Sequence, residues 1–300
     1  MLSLAPSELE ITDTADHAIE VLSASGIEDI TILARRGPLQ GAFTNPELLE
    51  MGELERGDVE VVGAELEELS AVALGEADKT RRRNVEIIQD YAARPKTGKP
   101  ITVRFRFLAS PVELLGDADG HVRVVKINAI VARDDGSLAA HGTSTFEEIP
   151  AQLVFRSIGY TGQPVARIPF DERRGPIRNE SGRVIDADGT HQVGEYVSGW
   201  SKRGPSGAIG TNKKDSQDTV DKIIEDATAG RLNDPDADDI EAMIATHCAN
   251  AVTWEGWQAI NAIETAAGEA LTPGRPRVKL TEWDTLREAA KRALTDQARR

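Results

Sequence analysis

The chain has 300 residues, 40% hydrophobic and 28% charged, which suits two ordinary domains with sizeable cores. Its formal net charge of −15 argues against nucleic acid, which would be repelled. No run of 18 apolar residues occurs, so no membrane span is expected, and Met1–Pro6 is too short and lacks the basic flank of a signal peptide.

The opening stretch reads as a helix, capped by Asp13 or Thr14, carrying Ala18, Ile19 and Leu22 and ending near Gly26. Ile30–Ala34 is a short apolar run rich in β-branched residues and predicts a buried strand, stopped by Arg35-Arg36-Gly37-Pro38. A further strand is expected at Val59–Val62 and a helix at Asn84–Ala92, with Val85, Ile88 and Tyr91 on one face. Ile101–Phe107 alternates apolar and polar residues, as a half-exposed strand does. Asp119-Gly120 signals a hairpin, Val122–Val131 the returning strand and Asp135-Gly136 another turn. Residues from about 101 to 133 therefore predict an antiparallel excursion inside an α/β pattern. Leu153–Gly159 predicts a buried strand, and Tyr160–Pro164 a crossover into a second unit.

The second unit contains Val220, Ile223, Ile224 and Ala227 at helical spacing, with Gly230 as the stop. Asn233–Asp239 is an acidic linker. Trp254, Trp257, Ile260 and Ile263 predict one further helix, Trp283–Ala298 a last one, and Ala298–Arg300 a frayed end. The single cysteine, Cys248, cannot close an internal disulfide, which is consistent with a reducing cytoplasm. His247 beside it gathers no further ligands in sequence, so no metal site is expected.

The stretch Gly199-Trp200-Ser201-Lys202-Arg203-Gly204-Pro205-Ser206-Gly207-Ala208-Ile209-Gly210-Thr211-Asn212 follows the short apolar run Tyr196–Ser198 and precedes the amphipathic helix. A strand, a glycine-rich turn and a helix start in that order let backbone approach a planar or anionic ligand, with free N–H groups pointing at it. A tight connection with no ligand is the alternative. Trp200 adds a flat apolar surface, or else packs in a core. The G-x-G-x-x-G fingerprint that normally supplies a pyrophosphate site is absent. Arg35 and Arg36 directly follow a strand, where guanidinium forks suit the 2′-phosphate of NADP rather than the free hydroxyl of NAD; they could equally point into water. Arg81–Arg83, Arg173-Arg174, Lys202-Arg203 and Lys213-Lys214 are local basic clusters, readable as solvated surface or as contacts for an acidic partner. No G-x-S-x-G elbow, Cys–His arrangement or marked carboxylate pair occurs. No catalytic side chain is therefore nominated, and any redox chemistry falls to cofactors.

The segments Arg35–Gln40 with Ala42-Phe43-Thr44 and Glu47-Leu48, then Ser157–Tyr160, then Gly199–Asn212 with Asp215-Ser216, resemble the adrenodoxin-reductase type of NADPH–ferredoxin reductase in order and spacing, from about residue 8 to the end. The resemblance implies a partial glutathione-reductase-like α/β fold with two dinucleotide-binding domains. Residues 1–159 would be the NADP-binding domain with its antiparallel insertion. Residues 160–300 would be the C-terminal part of the FAD-binding domain. It also implies that Arg35 and Arg36 grip the NADPH 2′-phosphate and that Glu47 lies near the nicotinamide-side ribose. Trp200 would pack beside the flavin, while Gly207, Ala208 and Ile209 contact its ring through their backbone. The partner is then a ferredoxin-like iron–sulfur protein. Family members carry an FAD-binding strand and two glycine-rich pyrophosphate turns that this chain lacks, so an N-terminally truncated form is expected, the missing segment being a separate chain, the product of an earlier start or a deletion. On its own it is expected to hold FAD weakly or not at all. The alternative is a non-catalytic remnant or interaction protein. A dithiol flavoenzyme is disfavoured by the absence of C-x-x-C.

Overall fold

A computed structural model describes residues 1–62, 66, 71–131, 141–207, 209–234, 239–248 and 250–297. The fold is α/β. Two short helices, α1 (Pro6–Glu10) and α2 (Asp16–Ser23), lead into β1 (Asp29–Ala34). The cap of α2 is Ala15, without a side-chain bond, because Thr14 is engaged with Thr12 instead of the helix. A single turn at Pro38–Gln40, then α3 (Asn45–Glu50) and β2 (Gly57–Val61) follow. After α4 (Ala71–Glu76) comes α5 (Lys79–Ala93), which starts earlier than its apolar stripe because Asp78 accepts the Arg81 N–H at 2.9 Å. Next are β3 (Ile101–Phe107), β4 (Ala109–Gly116), β5 (Val122–Val131) and β6 (His141–Pro150).

Strands β1, β3 and β2 form a parallel sheet in that order, with Ile32 opposite Phe105 and Val59 opposite Val103. Thus Ile101–Phe107 is not the first strand of the antiparallel excursion but the centre of the parallel sheet. Its alternation reflects unequal faces. Val103, Phe105 and Phe107 are buried, Phe105 and Phe107 within a core with Leu48, Ile87, Ile88 and Tyr91; Arg104 and Arg106 occupy the intervening positions. The antiparallel sheet is β4-β5-β6, from Ala109 to Pro150. Strand β1 is only partly buried, contrary to expectation, since it is an edge of its sheet among the described residues. Asp135-Gly136, residues 235–238 of the acidic linker and 298–300 lie outside the described residues.

Leu153–Gly159 forms no strand, and Leu153, Phe155 and Ile158 are exposed. An apolar run becomes a strand only where a neighbouring strand takes its N–H and C=O groups, and none of the described strands does so. Residues 155–249 then hold a small antiparallel sheet of β7 (Asn179–Glu180), β8 (Arg183–Ile185) and β9 (His191–Tyr196). Helices α6 (Trp200–Arg203), α7 (Ile209–Thr228) and α8 (Ile240–His247) complete that stretch. Last come α9 (Trp254–Glu269) and α10 (Trp283–Gln297), packed through Ile260, Ala289 and Ala290.

Packing divides the chain into two compact units, Met1–Val154 with Asn250–Arg300, and Phe155–Ala249. This differs from the expected boundary at 159/160 because the C-terminal segment returns to the first unit. There the Arg275 guanidinium donates to the Asp16 carboxylate, and Lys279 Nζ lies 3.1 Å from Asp13.

Candidate functional site

The first unit carries Arg35, Arg36 and Glu47. Both arginines are exposed immediately after β1, and among the described residues neither guanidinium has an acidic partner. The contrast is with Arg104, which reaches Glu60 at 3.2 Å, and Arg106, which forks onto Glu147 at 3.0 and 2.8 Å. The Arg36 carbonyl accepts a long bond from Leu108 N–H at 3.5 Å, tying the loop to the end of β3. Glu47 is exposed in the first turn of α3 and accepts the Thr44 hydroxyl at 2.5 Å. The segment around it is fastened to α5. Tyr91 donates its hydroxyl to the Leu48 carbonyl at 2.6 Å, and Asn84 donates to the Phe43 carbonyl at 2.8 Å. Burial pushes the Tyr91 phenol up.

A cleft of this unit, about 460 Å³, is lined by Arg104 and Arg106 of β3 and by Glu147–Pro150 of β6. Its arginines are matched by Glu60, Asp29 and Glu147, so it offers no uncompensated cation to an anion.

The second unit carries the glycine-rich turn. Gly199 has φ +66° and Gly207 φ +84°, conformations that side-chain-bearing residues rarely adopt. At Gly199 an added Cβ would meet nothing within 4 Å, whereas at Gly207 it would come within 2.8 Å of the Thr211 side chain. The turn is thus open at its start and closed against α7 at its end. Trp200 is 48% exposed and stacks with the exposed Tyr160, ring centroids 5.9 Å apart. Ile209 opens α7, and Ala208 lies outside the described residues.

A clasp joins α6 to α7 around this turn. Asp215 Oδ2 accepts the Gly199 N–H at 2.5 Å, and its Oδ1 lies 3.3 Å from Lys202 Nζ. Arg203 donates to the Ser206 carbonyl and to Asn212. Burial alone would raise the Asp215 carboxyl, but the Gly199 amide, Lys202 and Arg203 outweigh it and hold it below its usual range. Lys202 and Arg203 are therefore turned inward, whereas Lys213 and Lys214 are exposed. Further along α7, Asp226 is almost fully buried and accepts a fork from Arg183 at 2.7 and 2.9 Å, the Tyr196 hydroxyl at 2.7 Å and Arg231 at 2.7 Å. The Arg183 fork, then Tyr196, keep its carboxyl far below the ordinary range. Asp226 does not stand out in sequence, being one of 50 acidic residues without a distinguishing spacing, whereas Asp215 belongs to the matched pair Asp215-Ser216 but was given no role there.

No family model matches the chain. NADPH-ferredoxin reductase FprA of Mycobacterium leprae (strain TN) is 46% identical over 280 residues, covering 92% of this chain and 60% of its own length. NADPH:adrenodoxin oxidoreductase, mitochondrial, of Arabidopsis thaliana is 32% identical over 306 residues, covering 95% and 62%. The solved structure of Mycobacterium tuberculosis FprA in complex with NADPH superimposes with a TM-score of 0.85 at 40% identity, covering 97% of this chain and 64% of that one. The chain spans about 60% of the length of these two curated relatives. Identity at this level over nearly the whole chain, together with a shared fold, means that the chain belongs to the NADPH–ferredoxin reductase family of adrenodoxin-reductase type.

Proposed function

We propose that this chain is part of a cytoplasmic flavoprotein that passes electrons from NADPH through FAD to a ferredoxin-type iron–sulfur protein. The observation that carries this reading is the 46% identity to an NADPH-ferredoxin reductase over 92% of the chain. By cofactor, residues 1–159 serve NADP and 160–300 serve FAD, a division that does not follow the packing units, since 250–300 packs with the first. Arg35 and Arg36 hold the 2′-phosphate as charge-assisted forks, and their exposure without a carboxylate partner among the described residues supports this role. Glu47, on a segment tied down by Tyr91, lies on the nicotinamide-ribose side. Trp200 lies beside the flavin. The backbone of Gly207, Ala208 and Ile209 meets its ring at the amino end of α7, where N–H groups favour electron-rich atoms. The residues fit such a group: the turn is open at Gly199 and flanked by an exposed aromatic pair. Bound FAD supplies the conversion of one hydride from NADPH into two single electrons for iron–sulfur acceptors. The rest of the family's length comes from the same polypeptide or a second chain.

Calorimetric titration with NADPH and NADH tests the phosphate site. Arg35→Ala with Arg36→Ala should cost NADPH binding about 1.5–3 kcal/mol per guanidinium and leave NADH nearly unchanged. Equal losses for both nucleotides would remove the assignment. A second reading, a non-catalytic interaction protein, draws on the exposed apolar residues Phe155, Ile158 and Tyr160. It predicts no NADPH oxidation even when the rest of the family's length, FAD and a ferredoxin are supplied.

A further inference from the structure

Gly199 combines a left-handed φ of +66° with ψ −142°, and the next residue is the exposed Trp200. Glycine adopts this mirror image of the extended conformation without strain and has many others open to it, so it keeps a single pose only where a neighbour holds it. Here that neighbour is a carboxylate. Asp215 has a side chain only 10% exposed and takes the Gly199 N–H at 2.5 Å. Lys202, itself 12% exposed, faces Oδ1 at 3.3 Å and also reaches the Thr219 hydroxyl at 3.1 Å. Arg203 Nε stands 3.9 Å from the same oxygen. A largely buried anion set between two cations is costly to desolvate, and a packed apolar contact would join a short turn to a helix at lower cost. What the anion adds is a directional acceptor for one particular amide.

We propose that Asp215 is a positioning residue that fixes the Gly199 amide and thereby the pose of Trp200 at the mouth of the glycine turn. That Trp200 faces a flavin rests on the function proposed above; that Asp215 holds the turn does not.

The test uses the full chain with Trp254, Trp257 and Trp283 replaced by Phe, leaving Trp200 as the only tryptophan. Asp215→Ala removes the acceptor, whereas Asp215→Asn retains an oxygen for the Gly199 N–H and loses the charge. Amide hydrogen exchange over residues 199–204 should accelerate about tenfold in Asp215→Ala, as expected for one lost charge-assisted bond, while 220–228 stay near the parent rate. Asp215→Asn should recover most of the protection. Acrylamide quenching of Trp200 should rise in the same order. Unchanged exchange at 199–204 in Asp215→Ala would overturn the proposal, and so would uniform acceleration across 155–249, which marks a general structural tie. FAD titration, followed by Trp200 quenching, reads the other part: Asp215→Ala should need about tenfold more FAD than the parent. If FAD retained by the parent leaves Trp200 unquenched, the flavin reading fails independently of the exchange result.

Discussion

Asp226 gathers three side chains on one nearly buried carboxylate, and Tyr196 is held above its usual range by burial and by that carboxylate. Its depressed folded-state value fixes the sign of a pH effect. A carboxyl that ionises more readily when folded contributes stability above its unfolded value, and loses it as pH falls through the folded one. The contribution of Asp226 should therefore be complete at neutral pH and fade below about pH 4. Thermal melts from neutral to strongly acidic solution should show the acid limb of residues 155–249 flattened in Asp226→Asn, with a lower melting temperature at neutral pH. An unchanged acid limb would mean that other carboxylates set it. Arg35 and Arg36 are the opposite case, cations without a partner among the described residues, and their position after a strand was legible because the dipeptide abuts an apolar run. Asp226 was not legible, and Asp215 was legible only as part of a matched segment and not in its role, since burial and not spacing distinguishes both from the other acidic residues.

Elements whose apolar pattern is satisfied within the chain were readable in sequence. Strand β5 and helices α7, α9 and α10 are close to their expected limits, because each carries its own periodic stripe or turn signal. Short pieces such as α3, β7 and β8 are set by tertiary bonds, Tyr91 to Leu48 being one, and leave no periodic trace. Removing that bond with Tyr91→Phe should cost about 0.5–1.5 kcal/mol in denaturant unfolding and loosen the segment that carries Glu47. The stretch from Leu153 to Tyr160 shows the converse failure: it has the composition of a buried strand, yet exposes Phe155 at 70% and Ile158 at 85%. Such a patch should bind a hydrophobic dye. Phe155→Ser with Ile158→Asn should reduce that fluorescence without lowering the melting temperature, since neither side chain is packed. A fall in melting temperature would show the segment to be packed in solution.

At the scale of the whole molecule, the first compact unit is assembled from two distant stretches of chain, 1–154 and 250–300. Arg275, whose side chain is 5% exposed, joins them through Asp16 and the Thr14 carbonyl. Because Asp16 is itself exposed, Arg275→Ala should cost near the lower end of about 1.5–3 kcal/mol, measured as a lower urea midpoint for this unit. No described helix is long and apolar enough to cross a membrane. The overall charge of −15 means that an acidic iron–sulfur partner would meet net repulsion, relieved by salt, so any docking depends on local cations such as Lys213 and Lys214.

Helix α7 is pinned at two points, Asp215 near its start and Asp226 near its end. At 1.5 Å per residue these lie about 16 Å apart along its axis. Two fastenings on one helix make coupling between these corners a testable expectation: Arg183→Ala should alter Trp200 emission, and unchanged emission would show the two corners to be independent.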